Sequence, residues 1–339
     1  MSDIGTVPFW KRWLNLRLFW PTVGLALLLL FNWFFTPRFF HLEIREGHLD
    51  GTLTLILNQG AKGMLLALGM TLVIATGGVD LSVGSVMAIA GVIAALLATG
   101  SHVPFAMVIV LALLASFVAG LWNGLLVAYI RIQPIVATLI LMVAGRGIAL
   151  LFTDGQIITF TNEPLVYVGN GHFLGLPFTM TIVAVVFLAL VLATRKTAIG
   201  MFIESIGDNE TASRFAGLNA RAIKLLVYGF SGVCAGVAGL IATSNIKAAD
   251  SSRVGDMMEL DAIFAVVVGG TALTGGRFTL VGSIIGAILI QTLTMTMYGL
   301  GVPPAVAPVP KALVVIAVCL LQSETFRLKV RRLFRRRLA

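Results

Sequence analysis

Apolar runs of roughly 15 to 25 residues alternate with short polar intervals along almost the whole chain. A helix needs about 20 predominantly apolar residues to cross a hydrocarbon layer of about 30 Å. Lipid offers no partner to an unpaired backbone N–H or C=O, so each run predicts a helix that satisfies its own backbone. The alternating ten-residue segments of a membrane β-barrel are absent. We place ten spans, at Leu14–Phe35, Leu53–Thr76, Leu81–Thr99, Pro104–Ile130, Pro134–Phe152, Pro177–Thr194, Ala222–Thr243, Leu260–Thr274, Thr279–Tyr298 and Val309–Gln322. The fold class this predicts is an all-α polytopic membrane protein, a single transmembrane domain over residues 1–339. No small-residue cleavage site follows the first apolar run, so it reads as an uncleaved span.

One interval breaks the rhythm. From Arg195 to Lys224 the chain reads RKTAIGMFIESIGDNETASRFAGLNARAIK, too polar and too basic to cross a bilayer. Asp208 or Asn209 can cap a short helix there and Gly217 can end it. Ala212, Phe215 and Ala216 would share one face, opposite Glu210, Thr211, Ser213 and Arg214. A helix of about two turns is marginal alone in water, so it must rest on headgroups, on the base of the bundle, or in a partner's groove.

Composition supports the membrane reading: 58% of the 339 residues are hydrophobic and 12% charged, against about a quarter charged in an ordinary soluble domain. The net charge of +9 would suggest nucleic acid in a soluble protein. Here its distribution explains it without nucleic acid. With both termini inside, 17 of the 24 basic residues fall on the inner side and five on the outer, Lys62 and Arg146 lying within spans. Cytoplasmic segments would then be 1–13, 195–221 and the basic tail 323–339, the last lying against anionic headgroups. Cys234 and Cys319 sit in apolar runs, where they read as small buried hydrophobes without a disulfide role. The four histidines scatter on the outer side, and no metal site is expected.

Two glycine corners stand out, GGVDLSVGSVMAIAGV from Gly77 and GGTALTGGRFTLVGSIIGA from Gly269, and both fall on the inner side. In the first, Gly77 and Gly78 permit a tight reversal and Asp80 or Ser82 can cap the next helix. It reads either as a capped helix corner or as a gate at the inner end of a pathway. Pairs at Gly120/Gly124, Gly232/Gly236 and Gly282/Gly286 predict close helix packing. Intramembrane polar groups are costly unless paired or wet, which singles out Lys62, Asn123, Arg146, Glu259 and Asp261, with Asn58 and Gln59 near an outer helix end. Arg146 is either a partner to a carbonyl or carboxylate, or a donor lining a pathway. No phosphate loop, zinc-protease motif or Cys/His cluster occurs, so any ATP must be bound by another chain.

The segments GMTLVIATGGVDLSVGSVMAIAG, AGLWNGLLVAYIRIQPIVATLILMVAGRGIA, TRKTAIGMFIESIGDNETASRFAGLN and LDAIFAVVVGGTALTGGRF resemble permease subunits of bacterial ABC sugar importers, in the ribose/autoinducer-2/branched-chain amino-acid permease family. The resemblance runs from about Asn58 to Phe326. It implies a type II, vitamin-B12-importer-like permease of about ten helices in the bacterial inner membrane, importing a monosaccharide of the galactofuranose or ribose kind. Implied partners are an ABC ATPase or tandem ATPase carrying ATP and Mg, a second permease chain (identical or a paralogue), a periplasmic sugar-binding protein and membrane lipids. This chain itself would bind no cofactor and would not be an enzyme. The family's coupling helix falls at Asp208 to Gly217, with Glu204, Asp208, Asn209, Arg214, Phe215 and Gly217 as the expected ATPase-coupling residues. For the pathway or gate the expected residues are Asn58, Gln59, Gly77, Gly78, Asp80, Ser82, Asn123 and Arg146. The rival reading is a gradient-driven secondary carrier or channel for a small polar solute. The expected relay of mid-membrane carboxylates for such a carrier is thin.

Overall fold

A computed structural model describes residues 18–37, 39–45, 47–100 and 103–322. The expected cytoplasmic N-terminus (1–13), the basic tail (323–339) and His102 lie outside the described residues. Thirteen helices are described: α1 (Phe19–Phe35), α2 (Thr52–Ala75), α3 (Val83–Gly100), α4 (Phe105–Ala128), α5 (Pro134–Thr153), α6 (Glu163–Asn170), α7 (Phe178–Lys196), α8 (Ile199–Asp208), α9 (Glu210–Phe215), α10 (Ala220–Ile246), α11 (Met258–Val268), α12 (Leu280–Gly299) and α13 (Pro308–Gln322). Six short strands pair as antiparallel two-stranded ribbons: β1 (Leu42–Arg45) with β2 (His48–Gly51), β3 (Ile158–Thr159) with β6 (Ala248–Ala249), and β4 (His172–Phe173) with β5 (Leu176–Pro177).

Seven helices, α2, α3, α4, α5, α7, α10 and α12, are long and apolar enough to cross a membrane, making this a multi-pass protein. α1 and α13 are shorter apolar helices. The expected span Leu260–Thr274 is different. Its helix, α11, has 11 residues, which spans about 16 Å and cannot cross alone. It stops at Gly269, and Gly270 then takes φ +90°, a left-handed conformation that a side chain resists. The expected span ran five residues into the glycine corner at Gly269, which is where the helix ends.

α2 is the centre of the bundle, packed against α10, α12, α11 and α7, with its second half buried continuously from Met64 to Ala75. That continuity matches a helix surrounded by protein on all sides. The paired small residues act as expected. A Cβ on Gly120 would lie 2.3 Å from the Tyr228 carbonyl, and one on Gly232 would lie 2.3 Å from that of Ser116, so α4 and α10 touch backbone to backbone. Gly282 and Gly286 do the same for α12 against Gly269 and Ala265. Close approach of this kind lets dispersion and weak backbone contacts hold helices together where apolar burial gives little discrimination from lipid.

Both glycine corners, the start of α5 and the α8–α9 pair gather at one end of the bundle. The three ribbons and α6 sit at the other. There His48 on β2 stacks on His172 on β4 with ring centroids 4.1 Å apart. Burial first, and then the charge of His48, hold the His172 imidazole below its usual range.

Gly120→Leu is expected to lower the unfolding temperature of the detergent-purified protein or abolish its recovery, because overpacking costs about 1–3 kcal/mol or more where backbone must move. Gly147, with open space where a Cβ would go, is the control: Gly147→Ala leaves the midpoint unchanged or raises it. Equal effects at the two positions would refute the packing assignment.

Candidate functional site

The first corner is a polar knot inside an apolar bundle. α2 ends at Ala75, Gly77 takes φ +79°, and the chain reverses into α3. Asp80 is 1% exposed. Its Oδ1 accepts from the Ser82 backbone N–H at 3.0 Å, from Ser82 Oγ at 2.7 Å and from Asn123 Nδ2 at 3.4 Å. Its Oδ2 accepts from Ser231 Oγ at 2.9 Å. Asn123 Nδ2 also donates to Ser82 Oγ at 2.8 Å. The adjacent Val79 carbonyl accepts from Thr138 Oγ1 at 3.3 Å and from Tyr228 Oη at 3.5 Å. One loop of seven residues, Thr76 to Ser82, thereby joins α3, α4, α5 and α10 to the end of α2.

Two hydroxyls, one amide and one backbone N–H thus satisfy the buried Asp80 carboxyl group from within the bundle. The positive end of the α3 dipole adds to this, since the carboxyl group sits just before that helix. Gly78 leaves no room for substitution: a Cβ there would lie 2.4 Å from Tyr228 Oη. Gly77, Gly78, Asp80, Ser82 and Asn123, expected on the pathway, are therefore brought together as the joint of the bundle.

The other expected pathway residues separate. Arg146 donates to the backbone carbonyls of Ser251 and Val254 at 3.0 and 2.6 Å, pinning the loop that precedes α11. This is the carbonyl-partner alternative of the two expected for it. Asn58 belongs to a cluster at the end opposite α8: its Nδ2 donates to the Gly169 carbonyl at 3.2 Å, and its Oδ1 accepts from Asn245 Nδ2 at 3.3 Å. Gln59 lines a cavity of about 780 Å³ between α2, α11, α12 and α13. Its polar lining adds Lys62, Asp261, Gln291 and Lys311. Lys62 and Asp261 were legible as intramembrane charges, whereas Gln291 and Lys311 gave no local signal.

The polar interval folds as two helices where one was expected. α8 buries Ile203 and Ile206 against the bundle. Gly207 near its end is so close that a Cβ would lie 1.8 Å from the Ala75 carbonyl and 2.4 Å from the Gly276 amide. The Gly276 N–H donates to that same Ala75 carbonyl at 2.9 Å. The end of α2, the second corner and α8 thus meet as bare backbone. Asn209 caps α9, its side chain accepting from the Ala212 N–H at 2.9 Å, and Gly217 follows with φ +87°. Lys224 Nζ to Glu210 Oε2, at 2.6 Å, ties α9 to the base of α10.

The orientation of α9 differs from the simplest amphipathic arrangement. Ser213 is turned inward and is 5% exposed, while Phe215 is 89% exposed. Ala212 and Ala216 are exposed beside it, and Asp208, Asn209 and Arg214 are exposed too. The apolar face looks away from the bundle. Glu204 lies half-buried on α8. Among the described residues no group of three or more His, Cys, Asp or Glu is placed to hold a metal ion.

Residues 52–321 match a protein family described as the permease component of branched-chain amino acid transport systems. The chain is 48% identical over 316 residues to the galactofuranose transporter permease protein YtfT of Escherichia coli K12, covering 91% of this chain and 92% of that one. It is 41% identical to the fructose import permease protein FruF of Bifidobacterium longum, over 93% of this chain and 90% of that one. Against the ribose import permease protein RbsC of Escherichia coli K12 the identity is 37%, over 79% and 84%. No solved structure matches the chain.

Asp80→Ala takes the acceptor from the Ser82 N–H, Ser82 Oγ and Ser231 Oγ, while Asn123 keeps Ser82 Oγ, and each buried orphan costs about 1–3 kcal/mol. Its expected result is a large loss of unfolding temperature or no recoverable protein, with Asp80→Asn less severe because one acceptor oxygen remains. Thermal unfolding in detergent checks this, and a wild-type midpoint for Asp80→Ala would remove the knot from the account.

Proposed function

We propose, because this chain belongs to the family of branched-chain amino acid transport system permease components, that it is the membrane-spanning permease of an ATP-driven monosaccharide importer. The sugar class follows its relatives, a galactofuranose transporter permease and fructose and ribose import permeases. The importer sits in the bacterial inner membrane with both termini cytoplasmic. Ten crossings of the type II arrangement are completed by α1, α11 with its flanking turns, and α13. A second permease chain completes the pathway, and a periplasmic binding protein delivers the sugar to the end of the bundle that carries the ribbons.

The observation that carries the reading is the exposed apolar face of α9 around Phe215. Two occupants compete for such a face, lipid and a protein partner. A helix that lies on a membrane is basic on its polar side. Between Ile199 and Gly217 the chain has three acids, Glu204, Asp208 and Glu210, and one base, Arg214. That balance disfavours anionic headgroups and favours the groove of a protein, here the ABC ATPase that holds ATP and Mg. Phe215 is the anchor, Asp208 and Arg214 are the polar rim, and Asn209 and Gly217 fix the ends of the presented helix. Glu204 supports the rim from α8.

Energy then has a route. Closure of two ATPases displaces α8–α9 as a unit, and the backbone contact of Gly207 with Ala75 and Gly276 passes that displacement to both corners. The corners are the ends of α2 and the approach to α12, so moving them shifts packed elements by a rigid step.

Phe215→Asp is expected to cut sugar uptake tenfold or more and to abolish co-purification of the ATPase, about the loss seen when one central interface anchor is removed. Abundance in the membrane should be unchanged, since the side chain touches little of its own chain. Retained co-purification with normal uptake would overturn the docking assignment.

A further inference from the structure

The cavity between α2, α11, α12 and α13 is lined by several charged and amide side chains. It lies far from the docking end: Lys62 precedes Ala75 by 13 residues of α2, a helical rise of about 20 Å. Its volume of about 780 Å³ is within the range of small-molecule sites. Its polar groups are held short of saturation. Lys62 Nζ makes one hydrogen bond, to Gln59 Oε1 at 2.6 Å, and no carboxylate among the described residues lies within ion-pair distance of it. The Gln291 amide bonds to no described residue. Across the space, Lys311 Nζ meets Asp261 Oδ2 at 2.7 Å, and Oδ1 accepts from no described residue. The rim is formed by Tyr298 on α12.

We propose that this cavity is a solute-holding vestibule for an uncharged, hydroxyl-rich ligand of monosaccharide size, with Lys62 and Gln59 on one wall and Asp261 and Gln291 on the others as its hydrogen-bonding groups. The proposal rests on the importer reading and adds to it a binding site within this one chain.

Two features select the ligand class. The lining carries two cations, Lys62 and Lys311, and two anions, Asp256 and Asp261, so the cavity has no net formal charge to reward an ionic solute. It does present ammonium and amide donors next to carboxylate and amide acceptors. A hydroxyl group both donates and accepts, so adjacent hydroxyls of a sugar match such a mixed array. An amino acid, the other solute that the family's description raises, needs a free carboxylate for its ammonium group. Asp261 is already engaged by Lys311, and Asp256 is exposed at the rim where water screens it. Neighbouring apolar side chains, Phe264 among them, suit the C–H faces of a sugar ring.

The test uses the full chain in cells that make the complete transporter. With Cys234→Ala and Cys319→Ala as background, Gln291→Cys is labelled by a membrane-impermeant thiosulfonate added outside. D-galactose, D-fructose or D-ribose slows the labelling, and L-leucine does not. Adding Lys62→Met raises the sugar concentration that halves labelling about tenfold or more, the equivalent of one lost hydrogen bond to a charged group. If Gln291→Cys fails to reach the membrane, Tyr298→Cys at the cavity mouth takes its place. No labelling from outside, protection by leucine in place of the sugars, or protection indifferent to Lys62→Met would each overturn the vestibule. These outcomes leave the importer reading standing if Phe215→Asp still abolishes uptake, so the two can fail separately.

Discussion

A buried carboxyl group with no cation beside it has to be satisfied by oriented dipoles, and Asp80 draws α4 and α10 to the corner between α2 and α3 for that purpose. Ser82, Asn123 and Ser231 supply side-chain donors from the corner, α4 and α10. The α3 terminus supplies its dipole. In a bundle surrounded by lipid, helix association gains little from apolar burial, so such a polar joint and the backbone contacts at Gly120 and Gly232 determine which helices are neighbours. The knot is therefore a reference point against which the rest of the bundle is placed.

Two kinds of joint divide the work. The Asp80 knot is dense in hydrogen bonds and closes four helices on one loop. The contact of Gly207 with Ala75 and Gly276 is nearly free of side chains, and it lies at the same end. Backbone packed on backbone has no rotamer to yield, so a displacement of α8 is transmitted in place of being absorbed. The apolar face of α9 stands outside this joint, where a partner can grip it. The cavity stands about 20 Å further along α2, beyond the joint, where a solute would feel the movement. Joint and cavity share one central helix, α2.

Much of the bundle was legible because membrane crossing writes length into composition. The seven long apolar helices fall where the apolar runs predicted them, and Asn209 and Gly217 bound α9 as their residue types require. What escaped was decided by packing. α8 reads as part of a polar interval, yet Ile203 and Ile206 bury it on the bundle, and a ten-residue helix depends on that support. α11 ends at the glycine corner named from the sequence, but the apolar residues around that corner had extended the expected span to Thr274. Arg146 announced itself as a buried cation, but its acceptors lie 105 and 108 residues onward, beyond any local spacing rule. Asn58 and Asn123 were visible as buried amides for the same reason and equally mute about their partners. Lys311 gained meaning only from Asp261, fifty residues earlier in the chain.

The central claim is that an ATPase docked on α8–α9 drives sugar through this chain. The direct measurement is uptake of a labelled monosaccharide into proteoliposomes holding the permease, its ATPase and its binding protein, with and without ATP on the ATPase side. Uptake is expected to require ATP and to disappear when the permease is reconstituted alone. Uptake by the chain alone, driven by an ion gradient and indifferent to ATP, would contradict that claim.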